Sequence, residues 1–190
     1  MKRVFLIHGW DGSPEEPMHK WIKKSLESKG FEVFAPKMPN ADKPEIKSWV
    51  AKIREIVREI NEEDIFIGHS VGCQAVLRYI EKLDKDEKVK KVILIAPWMY
   101  LDKKTIEEEG EEVIEIAKPW METPIDFKKI KAHCNEFVAI FSDNDPYVPL
   151  SNAAIFKKNL GAKTLILNKR GHFDPSSNID KLPELLHFIK

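Results

Sequence analysis

Short β-branched apolar runs alternate with amphipathic stretches along this chain, the pattern of strands separated by helices. Strands are predicted at Arg3–Ile7, Glu32–Ala35, Asp64–Ile67, Lys91–Ala96, Phe137–Phe141 and Thr164–Leu167. Several are apolar almost throughout, as strands covered on both faces are. Helices are predicted at Met18–Lys29, Ile46–Ile60, Gly72–Leu83, Asn152–Leu160 and Ile179–Ile189. In the second of these, Ile46, Val50, Ile53, Val57 and Ile60 recur at three- and four-residue spacing and make one buried stripe. Gly30 and Gly161 stand where two of the helices should stop. Strand alternating with helix implies right-handed crossovers. The expected fold is three-layered α/β: a mostly parallel central sheet of about six strands, with helices on both faces. Loops that carry function then gather at the carboxyl ends of the strands. One irregular stretch, Trp98 to Ala132, is longer than a single crossover helix needs. Its acidic run Glu107–Glu112 is most simply a solvated helix face broken at Gly110, and a cap or lid over about residues 98–132 is the sharper reading.

At 190 residues the chain is expected to form one domain with a core that needs no staples. Lys plus Arg and Asp plus Glu are equal at 31 each, so no net field draws it to nucleic acid or an anionic membrane. The two cysteines, Cys73 and Cys134, have no metal-ligand spacing and make no disulfide framework, so a reducing compartment is the default. Cys73 reads as a buried, inert thiol. The apolar run after Met1-Lys2-Arg3 is too short for a signal peptide, and no run reaches the roughly 20 residues of a membrane span. A soluble cytoplasmic protein is expected. Abundant Lys and Glu beside a single glutamine, Gln74, is a composition seen in thermophile proteins.

The chemistry centres on Gly68-His69-Ser70-Val71-Gly72, which lies between a predicted strand and a predicted helix. Strand, G-x-S-x-G and helix make a nucleophile elbow, a strained turn that projects the serine hydroxyl from the sheet edge. A serine hydroxyl needs a base to take its proton, and the base needs an anion to fix its tautomer. After the fifth strand comes Ser142-Asp143-Asn144-Asp145-Pro146-Tyr147, and after the sixth comes Gly171-His172-Phe173. Ser70, an acid and His172 then follow one another in the order Ser, Asp, His. Asp145 is favoured because Pro146 restricts its backbone, with Asp143 and Asp174 as competitors. For a developing oxyanion the candidate donors are the Val71 amide at the helix start and the Trp10 amide in the loop His8-Gly9-Trp10-Asp11-Gly12. That loop lacks the spacing of a phosphate-binding loop.

These segments together, with Trp21-Ile22-Lys23-Lys24, Met38-Pro39-Asn40 and Trp49, resemble the small serine hydrolases of the retinoblastoma-binding protein 9 and YdeN type. These are compact α/β-hydrolases with a shortened sheet. The resemblance runs over nearly the whole chain and is weakest between Trp98 and Ala132. It implies a Ser70–Asp145–His172 triad and esterase-like hydrolysis of small to medium acyl esters, with no cofactor. A thioesterase or amidase using the same triad is the near alternative, and a partner-binding protein on the same fold is the distant one. Acyl transfer and C–C bond cleavage are further chemistries of such a fold. The expected protein acts on a small-molecule ester as a monomer or weak homodimer, without nucleic acid or membrane.

Trp98, Tyr100, Trp120 and Met121, together with Trp10, are candidates for an acyl pocket, and His8 is a candidate substrate contact as well as a loop-shaping residue. His69 is expected to pack beside the nucleophile. His19, His133 and His187 show no partner pattern. The absence of an H-E-x-x-H or paired-cysteine motif argues against a catalytic metal.

Overall fold

The computed structural model describes residues 2–189. Six strands form one sheet: β1 (Arg3–Ile7), β2 (Glu32–Phe34), β3 (Ile65–His69), β4 (Lys91–Ile95), β5 (Phe137–Ser142) and β6 (Lys163–Leu167). Their spatial order is β2-β1-β3-β4-β5-β6, and every neighbouring pair is parallel. All residues of β3 and β4 are buried, which explains the apolar runs Ile65–Ile67 and Val92–Ile95; edge strand β6 has no buried residue. No helix among the described residues is long and apolar enough to cross a membrane.

With this order, right-handed crossovers put α1 (Pro17–Glu27) on one face and α2 (Ile46–Val57), α3 (Val71–Ile80) and α7 (Ser151–Leu160) on the other. α2 packs along α3. It stops at Val57, earlier than its stripe suggests, because Arg58 turns to φ 60°. Ile60 nevertheless packs against the core from the loop beyond. All ten residues of α3 are buried, since this helix is held between the sheet and other helices.

Two expectations need correction. The stretch read as irregular contains three helices, α4 (Lys103–Glu109), α5 (Glu111–Glu122) and α6 (Phe127–His133). Asp102 caps α4 by accepting from the Thr105 amide, and Asp126 caps α6 by accepting from Lys128 and Lys129. α4 and α6, seven residues each, are too short for a stripe that stands out in sequence. Buried Arg78 fastens the end of α5 to α3. Its guanidinium donates to the carbonyls of Trp120 (3.1 Å) and Thr123 (2.7 Å) and to Gln74 Oε1 (3.0 Å).

The second correction is at the carboxyl terminus, where the expected helix Ile179–Ile189 is a 3-10 segment, Pro183–Phe188. Pro183 has no amide to donate and keeps Leu182 out of the helical region, at φ −135° and ψ 69°. Leu182, Leu185 and Ile189 are buried all the same, so the hydrophobic spacing was meaningful although the backbone differs.

Candidate active site

β3 carries the chain to the carboxyl edge of the sheet, where Ser70 takes φ 53° and ψ −124° before α3 begins. This conformation costs on the order of 1–3 kcal/mol and persists only where the surroundings over-determine it. They do so here. The Ser70 amide donates to the Ile95 carbonyl (2.9 Å) of the neighbouring strand. A Cβ on Gly68 would come within 2.7 Å of the Cys73 backbone, and one on Gly72 would overlap the His8 carbonyl. Both glycines of the motif are therefore there for close approach. Cys73, fully buried, donates its thiol to the carbonyls of Gly68 and Ile95, and burial pushes the thiol pKa well up.

His172, in the loop after β6, places Nε2 2.9 Å from Ser70 Oγ. Its Nδ1 lies 2.8 Å from Asp145 Oδ2, in the loop after β5. With the carboxylate accepting from Nδ1–H, Nε2 of the neutral ring carries a lone pair toward the serine hydroxyl. Asp145 is itself fixed, since its Oδ1 accepts from the amides of Tyr147 (2.9 Å) and Val148 (3.0 Å), and its side chain is 2% exposed. The Tyr147 ring stands edge-on to the imidazole at 5.2 Å. The competing aspartates are engaged elsewhere. Asp143 accepts from the Lys169 amide, and Asp174 caps the 3-10 turn Pro175–Ser177. Asn144 stitches the two loops together by accepting from the Gly171 amide (2.9 Å) and the Ser142 hydroxyl (2.8 Å).

The loop after β1 forms the other side of the site. The His8 ring donates from Nδ1 to the Gly9 carbonyl (2.8 Å) and accepts the Met38 amide at Nε2 (2.9 Å), which makes it a neutral imidazole. Burial holds its pKa below the ordinary range. His8 shapes this loop and does not line the cavity. Gly9 packs against the side chains of His69 and Ser70, so the main chain leading to Trp10 passes beside the serine. Val71 opens α3, where first-turn amides have no acceptor within the helix.

Ser70 and His172 open into a cavity of about 570 Å³. Its apolar wall includes Trp10, Trp98, Leu101, Ile106, Val113 and Ile116. Of the candidates for an acyl pocket, Trp10 and Trp98 line the cavity and Tyr100, Trp120 and Met121 do not. Trp120 is fully buried, packs edge-on to Trp49 and donates its indole N–H to the Pro44 carbonyl. Tyr100 is turned outward and bonds Ser151, and Met121 packs against the core away from the cavity. The wall that sequence reading missed comes from α4 and α5. Val113 and Ile116 stand three residues apart on α5, and that spacing was the available signal. α4 is tied to the loop bearing Asp145 through Thr105 Oγ1, which donates to the Pro146 carbonyl (2.8 Å). α5 is tied to the loop after β2 by the ion pair Lys43–Glu112 (2.6 Å). Five acidic residues, Asp11, Asp42, Glu109, Glu112 and Asp174, and one amine, Lys43, are among the residues lining the cavity.

The chain is similar to known proteins over nearly its whole length. The serine hydrolase family model matches residues 4–190. YdeN of Bacillus subtilis is 24% identical over 182 residues, covering 96% of this chain and 91% of that protein. The serine hydrolase RBBP9 of Rattus norvegicus is 28% identical over 184 residues, covering 96% and 86%. The crystal structure of the B. subtilis ydeN gene product superimposes with a TM-score of 0.89 at 23% identity, over 100% of this chain and 97% of that one. An esterase from Exiguobacterium antarcticum superimposes with a TM-score of 0.70 at 14% identity, over 99% and 91%. The six-stranded parallel sheet is that of the α/β-hydrolases. The chain belongs to the serine hydrolase family.

Proposed function

We propose that the protein is a carboxylesterase that cleaves small to medium acyl esters by way of an acyl-enzyme on Ser70. The observation that carries this reading is the hydrogen-bonded row Ser70–His172–Asp145 at the floor of an apolar-walled cavity. Ser70 Oγ attacks the ester carbonyl as its proton passes to His172 Nε2. Asp145 holds the ring and stabilises its positive charge. The Trp10 and Val71 amides stabilise the oxyanion, a contribution for which one donor is typically worth about 10²–10³ in rate. Collapse of the tetrahedral intermediate expels the alkoxide, which takes the proton from His172. Water, deprotonated by His172, then attacks the acyl-enzyme, and Ser70 recovers its proton as the acid leaves. The cavity's excess of carboxylates favours neutral or cationic esters over anionic ones.

The test is intact-mass labelling with a fluorophosphonate probe on the wild type, Ser70→Ala and His172→Ala. It is followed by matched ester, thioester and amide substrates. A single adduct on Ser70, absent in both variants, with the ester turned over fastest, is expected. Faster thioester or amide turnover would keep the machinery and replace the bond. A folded protein that takes no adduct would sink the hydrolytic reading and favour a partner-binding role.

A further inference from the structure

A second cluster of reactive side chains lies behind the serine, and none of its members lines the cavity. Glu16 immediately precedes α1 and His19 follows in its first turn, a three-residue spacing that puts both on one side of the helix. His69 closes β3. One ligand atom from each of the three lies within 4.8 Å of the others. His19 Nδ1 is 3.1 Å from Glu16 Oε2, and the rings of His19 and His69 are 5.5 Å apart. His19 is fully buried and His69 is 3% exposed. Nevertheless Nε2 of His19 and Nδ1 of His69 have no hydrogen-bond partner, and His19 Nδ1 meets the Glu16 carboxylate without hydrogen-bond alignment. Buried polar atoms in native proteins are nearly always satisfied, and each orphan costs about 1–3 kcal/mol. One free nitrogen from each ring, gathered beside the Glu16 carboxylate, asks for a common partner.

The tautomer of His69 indicates what kind. Its Nε2 lies 2.8 Å from the main-chain oxygen of His172, which can only accept, so Nε2 carries the proton and Nδ1 a free lone pair. A ligating histidine commonly looks like this, with one nitrogen on the metal and the other N–H on a carbonyl. Glu16 is oriented too, because its Oε1 accepts from the Ser13 amide (3.2 Å) while Oε2 faces His19.

We propose that Glu16, His19 and His69 bind a divalent transition-metal ion of the zinc class behind the nucleophile. Two imidazoles and one carboxylate suit zinc, whereas magnesium and calcium prefer all-oxygen sets. Metal–ligand distances near 2.1 Å set tetrahedral edges of about 3.4 Å, so rotation of the two rings has to draw the widest pair together. A water completes the four positions. A cation here meets the positive amino end of α1, and the Glu16 carboxylate supplies the compensating charge. Metal on Nδ1 makes the His69 Nε2–H a stronger donor to the His172 carbonyl. Occupancy therefore tightens the loop that carries His172 without taking part in any chemical step.

The experiment uses the full chain, stripped with a chelator and titrated with cobalt(II), then zinc(II). A visible d–d spectrum of tetrahedral intensity that saturates at one equivalent and is displaced by zinc is expected, with a higher melting temperature for the zinc form. Glu16→Gln and His19→Gln should weaken binding by more than the about 10–100-fold that loss of an outer partner costs. Ser70→Ala should bind as the wild type does, which keeps this result separate from any result on hydrolysis. No cobalt spectrum and no zinc-dependent stabilisation of the wild type would overturn the site and leave the His19–Glu16 contact to stand by itself. Equal binding by the Gln variants would assign the metal elsewhere and also overturn it. The wild-type spectrum decides even if a variant fails to fold.

Discussion

Gly72, in the first turn of α3, packs against the carbonyl oxygen of His8 with no room for a Cβ between them. This contact sets how closely the loop after β1 approaches the elbow. Gly72→Ala is expected to lose on the order of 3 kcal/mol or more, as overpacked cores do, because backbone lies on both sides. The urea midpoint would show the loss. In the fraction that folds, ester turnover should fall further, since the Trp10 and Val71 amides move apart.

Asp145 has two tasks that one substitution separates. Asn at this position retains an oxygen for the Tyr147 and Val148 amides, so the loop should persist and the melting temperature should change little. The amide cannot stabilise an imidazolium and imposes the wrong tautomer. A fall in kcat on the order of 10⁴-fold is expected for Asp145→Asn, measured on an activated ester. A loss below tenfold would point to another carboxylate as the partner of His172.

Acid should destabilise the protein through His8. The native ring is neutral, its lone pair occupied by the Met38 amide, and its pKa lies below the ordinary 6.5. The unfolded chain therefore takes up a proton at a higher pH than the native one, so stability rises with pH across that window. The contribution is complete above about pH 6.5 and is lost as pH falls toward the native value. The urea midpoint should drop from pH 7 to pH 5 more steeply in the wild type than in His8→Gln.

Neither cysteine should react in the native state. Cys73 is fully buried, and Cys134 is buried with its pKa pushed up to about 11. A thiol reagent at neutral pH should modify none within the time that labels both in denaturant. Rapid native labelling of Cys73 would mean that the elbow opens readily.

Acyl length should be set from α5. Val113 and Ile116 are half-buried on the cavity wall. Val113→Trp is expected to raise KM for hexanoate esters by at least tenfold while leaving acetate esters within about threefold. A fully buried CH₂ is worth about 0.8 kcal/mol, so loss of three or four to the filled pocket covers the factor. Equal effects on both esters would place the acyl chain elsewhere.

The chain's own order of residues determined most of the architecture. Fully apolar runs such as Phe66-Ile67 and Val92–Ile95 specify strands wherever they lie, because only a doubly covered sheet hides every side chain. The elbow is equally local, since the turn at Ser70 and the glycines on either side are contiguous. That Ser70, Asp145 and His172 face one edge follows from strand ends alone, because parallel strands share a carboxyl side. What the sequence left open depends on distances between remote segments. Trp98 and Trp120 look alike in sequence, and only the docking of α5 onto α3 through Arg78 buries the second beneath Pro44 while the first faces the cavity. Leu182 and Leu185 announced burial, but Pro183 and the shape of the core fixed the backbone as 3-10. The meeting of Glu16, His19 and His69 spans fifty residues of sequence and leaves no spacing to recognise. It exists because β1 and β3 are neighbours in the sheet and α1 returns across them.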